Sequence, residues 1–318
     1  MFKIDKTQQL GKPLSHCVVD TLEELMAGDE RIIALDADLG GASGFTAIAQ
    51  SYPARFINAG IAEANMVGVA SGLSMTGFIP FIHTFAPFAT RRVFDQLFIS
   101  GAYAKNTLNI YGSDPGFTVG LNGGTHTSWE DVALMRTIPE AVVCDAADAV
   151  QMKWLIEAFS QIPGIHYVRG NRKAVENVYA EGSSFTLGVG NVVREGSDLL
   201  LITSGQLLSE VLKLADSLIE LGISSEVIDM FTIKPLDVDL IVSEIVGKRA
   251  VVTVENHSII GGLGSAVAEV LAERGVNIPL TRIGARDVFG EVGTPDFLQK
   301  AFGLTAEQMK DEVKMRFS

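Results

Sequence analysis

The sequence predicts an α/β protein of two doubly wound domains, each a mainly parallel sheet with helices on both faces. Three observations lead there. A chain of 318 residues is too long for one ordinary domain and suits two of roughly 130–180 residues each. Short β-branched apolar runs alternate with longer segments of helical period, the pattern of strands buried between covering helices. Near residue 180 that rhythm restarts, which places the domains at 1–180 and 190–318.

In the first domain RIIALDAD (31–38) reads as a buried strand followed by the Gly-rich turn GGASG. EANMVGVASGLSMTG (63–77) reads as a helix with small residues on one face, which allows close packing. FIPFIHTF (78–85) is a second strand and ATRRVFDQLFISGAYA (89–104) an amphipathic helix; NTLNIYGSD, AVVCDAADAV and GIHYVRG supply further strands. The polar stretch ENVYAEGSSFTLGVGN (176–191) reads as a boundary loop or hairpin. Beyond it, DLLLITSGQ is a strand, LLSEVLKLADSLIELG a helix with a Gly stop, and SSEVIDM a strand. KPLDVDLIVSEIVG follows as a helix opened by Pro, AVVTVEN as a strand and GLGSAVAEVLAERG as a helix.

Composition narrows the function. A hydrophobic fraction of 47% and a mean hydropathy of +0.27 suit well-filled cores and leave apolar surface for a partner to cover. A net charge of −13 and a pI near 4.8 argue against a nucleic-acid partner, which needs clustered Lys and Arg. No apolar run approaches the ~20 residues that span a bilayer, so no membrane partner is expected. The opening MFKIDKTQQLGKPLSH lacks the apolar core of a signal peptide, which makes a cytoplasmic location the expectation. Cys17 and Cys144 sit in apolar stretches without metal or redox spacing and read as buried thiols.

In open α/β sheets ligands sit beyond the carboxyl ends of strands. Four segments occupy such places in the first domain: DADLGGAS, NAGIAEANM, HTFAPF and GLNGGTH. Taken singly each has an ordinary structural reading. Glu63 is a helix N-terminal carboxylate favoured by the dipole, Phe85 and Phe88 are core aromatics, and His126 is a loop histidine. Their joint order says more. NAGIAEANMVGVASGLSMTG, then FIPFIHTFAPFATRRVFDQL, then GLNGGTHTSWEDVALMRTIP, and finally VENH with GGLGSAVAEVL, resemble the pyrimidine-binding and C-terminal domains of transketolases, over Lys12 to Phe302. The segment around AGIAE is the most specific of these.

The resemblance implies thiamine diphosphate as cofactor, with the protein positioning and polarising it. It assigns Glu63 to N1′ of the aminopyrimidine, Phe85 and Phe88 to the ring's faces, Leu39 to the apolar wedge under the bent cofactor and Asp38 to a neighbouring polar contact. It gives His126 a substrate-facing role, able to donate to a developing oxyanion or to move a proton, with Glu63 and His126 as the catalytic pair. It assigns Arg169 to a sugar phosphate and Lys12 to a second cation there. Transketolases also carry a domain marked by GDG and a downstream Asn pair, which holds the diphosphate and Mg²⁺. The sequence has neither. The resemblance is therefore to the C-terminal subunit of a split transketolase, with an N-terminal subunit binding most of the Mg²⁺ and diphosphate. A heterotetramer of two plus two is expected, and a homodimer for the chain alone.

Several positions depart from the family's pattern. Asn122 stands where an Asp contacts donor hydroxyls, Asp114 where a His often helps bind phosphate, and His83 where a small hydroxyl residue lies beside Phe85, and the resemblance makes all three substrate-binding positions. Arg91 holds a cofactor-facing position that is often a ring-contacting or small residue. A carboxylate at Asp114 repels a phosphate placed in the usual way, so an altered sugar donor or acceptor is expected. The alternatives are a β subunit of a 2-oxo acid dehydrogenase-type thiamine enzyme, a non-catalytic paralogue that binds a partner, and a generic nucleotide-binding α/β protein. The last lacks a strand–GxGxxG–helix fingerprint.

Overall fold

Ile32–Asp36 (β1) is an apolar run buried at every position, a pattern that suits only a strand covered on both faces. The computed structural model describes residues 1–7 and 9–317 and places β1 inside the first of two sheets. The other strands are β2 (Phe56–Asn58), β3 (Ile79–Phe85), β4 (Leu108–Ser113), β5 (Val142–Asp145), β6 (Ile165–Gly170), β7 (Asn191–Arg194), β8 (Leu199–Thr203), β9 (Ser225–Asp229), β10 (Thr232–Lys234), β11 (Ala250–Ser258) and β12 (Leu280–Ala285). The first sheet runs β10-β5-β6-β4-β3-β1-β2 and the second β12-β11-β8-β9-β7. Pairings between these strands are parallel except β10 with β5 and β7 with β9. Helices cover both, so the two α/β sheets of the sequence reading are present.

The two sheets are joined. β10 lies in the second half of the chain yet pairs with β5 of the first sheet, Thr232 opposite Cys144. One apolar cluster extends from helix Leu14–Gly28 through Phe185 and Phe231 to helix Ala306–Phe317. Phe185 packs edge-on against both Tyr179 and Phe231, with centroids at 4.7 and 5.7 Å. Both cysteines are buried and free.

Two elements differ from their sequence readings. The helix read as opened by Pro235 starts only at Val238, capped by Asp237, with Lys234 ending β10. Residues 89–104 do not form a continuous helix. Thr90 and Val93 leave helical geometry, and the segment divides into a 3₁₀ turn (Arg91–Val93), one α turn (Phe94–Gln96) and a π-helical stretch (Leu97–Tyr103). The wide stretch seats Gly101 where a Cβ would come within 3.0 Å of Leu108 and Ile165 side chains, so the backbone packs directly on β4 and β6. This break decides which arginine reaches the site. Among the described residues, no helix is long and apolar enough to cross a membrane.

Candidate active site

Parallel order brings the carboxyl ends of β1, β3 and β4 side by side, and the residues there brace one another. Asp36, last in β1, is fully buried. Its Oδ1 accepts the Leu39 N–H at 2.6 Å, and its Oδ2 lies 2.6 Å from His83 Nδ1 on β3. His83 Nε2 is 3.1 Å from Ser113 Oγ at the end of β4. The imidazole is stacked between Phe45 and Tyr111, at 4.6 and 5.2 Å. With no surface exposed, His83 does not face substrate as the sequence suggested. It ties three strand ends together beneath the site. The turn braced in this way carries exposed Asp38, at a φ of 62°, whose Oδ1 accepts from Asn58 Nδ2 at 3.2 Å.

Glu63 opens helix Glu63–Met75, whose N-terminal dipole favours a carboxylate. Gly60, at a φ of 68°, makes the left-handed turn that leads into it. The Glu63 side chain is 4% exposed, and its Oε1 accepts from Arg92 Nη1 at 2.5 Å. The Arg92 guanidinium lies 3.8 Å over the Phe88 ring. Phe85, Phe88 and His126 form an edge-to-face triangle with centroids 6.1, 5.7 and 5.2 Å apart. A turn from Gly123 sets the histidine: its N–H donates to Gly123 O at 2.9 Å, and Thr125 Oγ1 lies 2.8 Å from Nδ1.

Leu39, Glu63, Phe85, Phe88, Arg92 and His126 line one cleft of about 280 Å³, with Asp38 and the 78% exposed Ile61 at its edge. Pockets that enclose a whole drug-sized ligand span about 300–1,000 Å³. This cleft suits one heteroaromatic ring better than a whole cofactor. Apolar side chains with a buried carboxylate among them fit an aminopyrimidine. Among the described residues, no group of three or more His, Cys, Asp and Glu is placed to hold a metal ion.

A second cavity, of about 570 Å³, is lined in part by His16, Ala42, Asp114, Asn122 and Arg172. Arg172 joins it to the first: its guanidinium lies 4.8 Å over the Phe85 ring. Asp114, at a φ of 52° and 2% exposed, accepts the Arg172 N–H at 2.9 Å and pairs with its Nε. Burial raises the Asp114 pKa while Arg172 pulls against it. Sequence reasoning passed over Arg172, although NRK follows directly after the strand and so stands at its carboxyl end.

Three expected site residues lie elsewhere. Arg91 does not line the first cleft: Nη1 reaches Glu130 Oε1 at 2.8 Å in a neighbouring hollow, and Arg92 holds the place expected of it. Lys12 pairs with Asp20 beside a separate cavity of about 340 Å³. Arg169 is 1% exposed and turned into the protein. Its Nη2 donates to Asn256 O at 2.8 Å, and its Nε lies 3.0 Å from Asp131 Oδ2 without hydrogen-bond alignment. Asp145 is 3.8 Å away, and Tyr167 Oη donates to Asp131 at 2.7 Å. Arg169 is the cation of a buried network between the sheets and presents almost no surface of its own. Glu255 and His257, from the VENH segment, complete that network. Burial pushes Glu255 up to about 7 and Asp145 up to about 6, and pushes His257 down to about 4.

Fold and cleft together define a two-domain α/β protein with a candidate ligand site at the carboxyl edge of its first sheet. The model of the transketolase pyrimidine binding domain matches residues 14–177, and that of the transketolase C-terminal domain matches 188–309. The chain belongs to the transketolase family of thiamine diphosphate-dependent enzymes. It is 46% identical, over 92% of its length and 90% of the relative's, to the 6-deoxy-6-sulfo-D-fructose transketolase subunit SqwH of Clostridium sp. (strain MSTE9). It is 42% identical, over 92% and 93%, to a putative transketolase C-terminal section of Methanocaldococcus jannaschii. A split gene transketolase solved as an inactive beta4 tetramer superposes with a TM-score of 0.87 at 38% identity, over 96% of this chain and 98% of that one. The chain thus resembles a split-gene transketolase subunit.

Proposed function

We propose that the chain is the C-terminal subunit of a split transketolase that transfers a two-carbon ketol unit between sugar or sugar-phosphate substrates. On this reading an N-terminal subunit completes the site and holds the diphosphate and Mg²⁺, in a cytoplasmic heterotetramer of two plus two. The observation that carries it is the ring-sized cleft lined by the buried Glu63 carboxylate together with Phe85 and Phe88. That the related beta4 tetramer is inactive agrees with a site that one kind of chain does not complete.

Thiamine diphosphate, when bound, supplies the carbanion chemistry. Glu63 would hold a proton against a ring nitrogen, shielded from water by the cleft walls. Phe85, Phe88 and Leu39 would fix the ring's plane through apolar contact. His126, on the same cleft, would donate to a developing substrate oxyanion or carry its proton. The larger cavity beyond Phe85 would take the distal part of the sugar, with Asn122 and Arg172 along it.

Because Asp114 occupies Arg172, the reading favours a substrate other than the usual pentose phosphates: an uncommon sugar, a differently placed anion, or an unphosphorylated substrate. The sulfo-sugar named for the 46% identical relative is a case of such a departure. The test is to reconstitute the chain with the product of an adjacent reading frame carrying GDG. Ketol transfer is then assayed on a panel of sugars, their phosphates and sulfonates. Thiamine-dependent transfer supports the proposal. Oxidative decarboxylation to a lipoyl acceptor would assign the chain to the 2-oxo acid dehydrogenase group, and ribose 5-phosphate with xylulose 5-phosphate as best substrates would remove the altered-substrate part.

A further inference from the structure

Glu63 and Arg92 form an unequal pair. The carboxylate side chain is 4% exposed, whereas the arginine side chain is 43% exposed. Arg92 follows Arg91 in the 3₁₀ turn, and its partly exposed side chain places its guanidinium over the Phe88 ring. A buried carboxylate needs a partner, and here that partner is a cation whose long stem can turn into water without backbone movement. The oxygen that Arg92 holds, Oε1, belongs to the carboxylate to which the functional reading gives a cofactor nitrogen, and Phe88 is one of the rings that would pack on that cofactor. A guanidinium 3.8 Å above Phe88 takes up the space a stacked heterocycle needs.

We propose that Arg92 is a positioning residue that occupies Glu63 and the face of Phe88 in the cofactor-free chain, and that it turns outward when an aminopyrimidine takes its place; this rests on the role given to Glu63 above. Arg92 keeps the buried carboxylate paired while the cleft lacks a ring, and it lowers apparent cofactor affinity by the fraction of time it holds the closed position.

The test is calorimetric titration of thiamine diphosphate, with Mg²⁺, into the reconstituted two-subunit complex. Arg92→Met keeps the apolar stem and removes the competing charge, so it should bind the cofactor about five- to tenfold more tightly, as expected if the closed position is held roughly 80–90% of the time. Arg92→Lys, which keeps a charge but not the flat guanidinium, should fall between. In a Glu63→Gln background Arg92→Met should bring no more than a twofold change, because the competition acts through the carboxylate. A purely structural arginine would give the same change in both backgrounds, and that result would overturn the inference. Unchanged or weaker binding by Arg92→Met in the otherwise wild-type complex would also overturn it. Should Arg92→Met melt early, Arg92→Gln carries the same expectation. Wild-type binding with no gain in the variant would sink this inference alone. No binding by the wild-type pair would sink the functional reading with it.

Discussion

Replacing Arg169 by Met separates two roles that one arginine after a strand could have. As a grip for a substrate anion it would be dispensable for folding, and its loss would raise KM. As the cation beside Asp131 and Asp145, in a network that reaches Glu255 through His257, it offsets buried carboxyl charge between the sheets. Removing one partner of a buried ion pair costs about 3–5 kcal/mol, because the other charge stays behind. The lost bond to Asn256 O adds about 1 kcal/mol, and the Met side chain returns part of the packing. A net loss of about 4 kcal/mol at pH 8 is expected, read as a fall in the urea midpoint of unfolding. The loss should shrink at pH 5. Burial already lifts Asp145 to about 6 and Glu255 to about 7, and without the guanidinium both move higher. A carboxyl raised in the fold contributes stability below its unfolded pKa and loses it as pH rises through the folded value. The variant is therefore least penalised when these groups are protonated. A variant as stable as wild type at pH 8, with only KM for an anionic sugar raised, would refute the buried-network assignment.

Glu255→Gln removes one of those titrations, so stability should fall less than in wild type between pH 5.5 and 8, by about 2 kcal/mol in urea unfolding. His257 acts with the opposite sign: held at about 4 by burial, it contributes stability above its unfolded value of 6.5 that is lost as pH falls through 4, so the acid limb should persist in Glu255→Gln. Phe88→Ala should weaken cofactor binding by roughly two- to twelvefold, the range of one aromatic contact, with little change in melting because the side chain is only half-buried. Glu63→Gln should lower turnover far more than it lowers cofactor affinity, since it keeps the shape of the side chain and removes its acid; equal losses in both would argue that Glu63 serves binding alone.

The sheets were legible because their strands are largely continuous apolar runs: β1, β3 and β8 fall inside the segments read from the sequence, and β11 overruns its segment, AVVTVEN, by two residues. Three- and four-residue strands such as β2, β7 and β10 leave too short a pattern to see, and β10 joins a sheet across the chain's own midpoint. Glu63, Phe85, Phe88 and His126 line one cleft, and their linear order is what carried the family signal. The misplaced residues share a physical cause. In a strand buried on both faces, alternation does not tell which side chain turns toward a ligand, so His83 on β3 and Arg169 on β6 looked available while both lie fully inside. Between Arg91 and Arg92 the choice depends on a break in helical phase at Thr90 and Val93 that periodicity does not reveal.

The most direct measurement is a structure of the reconstituted pair with thiamine diphosphate and Mg²⁺. The Glu63 carboxyl should lie at hydrogen-bond distance, about 2.6–3.2 Å, from an aminopyrimidine nitrogen, with Phe88 on the ring and the diphosphate held by the other polypeptide. A ring bound elsewhere, with Glu63 still on Arg92 or turned into solvent, would contradict the assignment of this cleft.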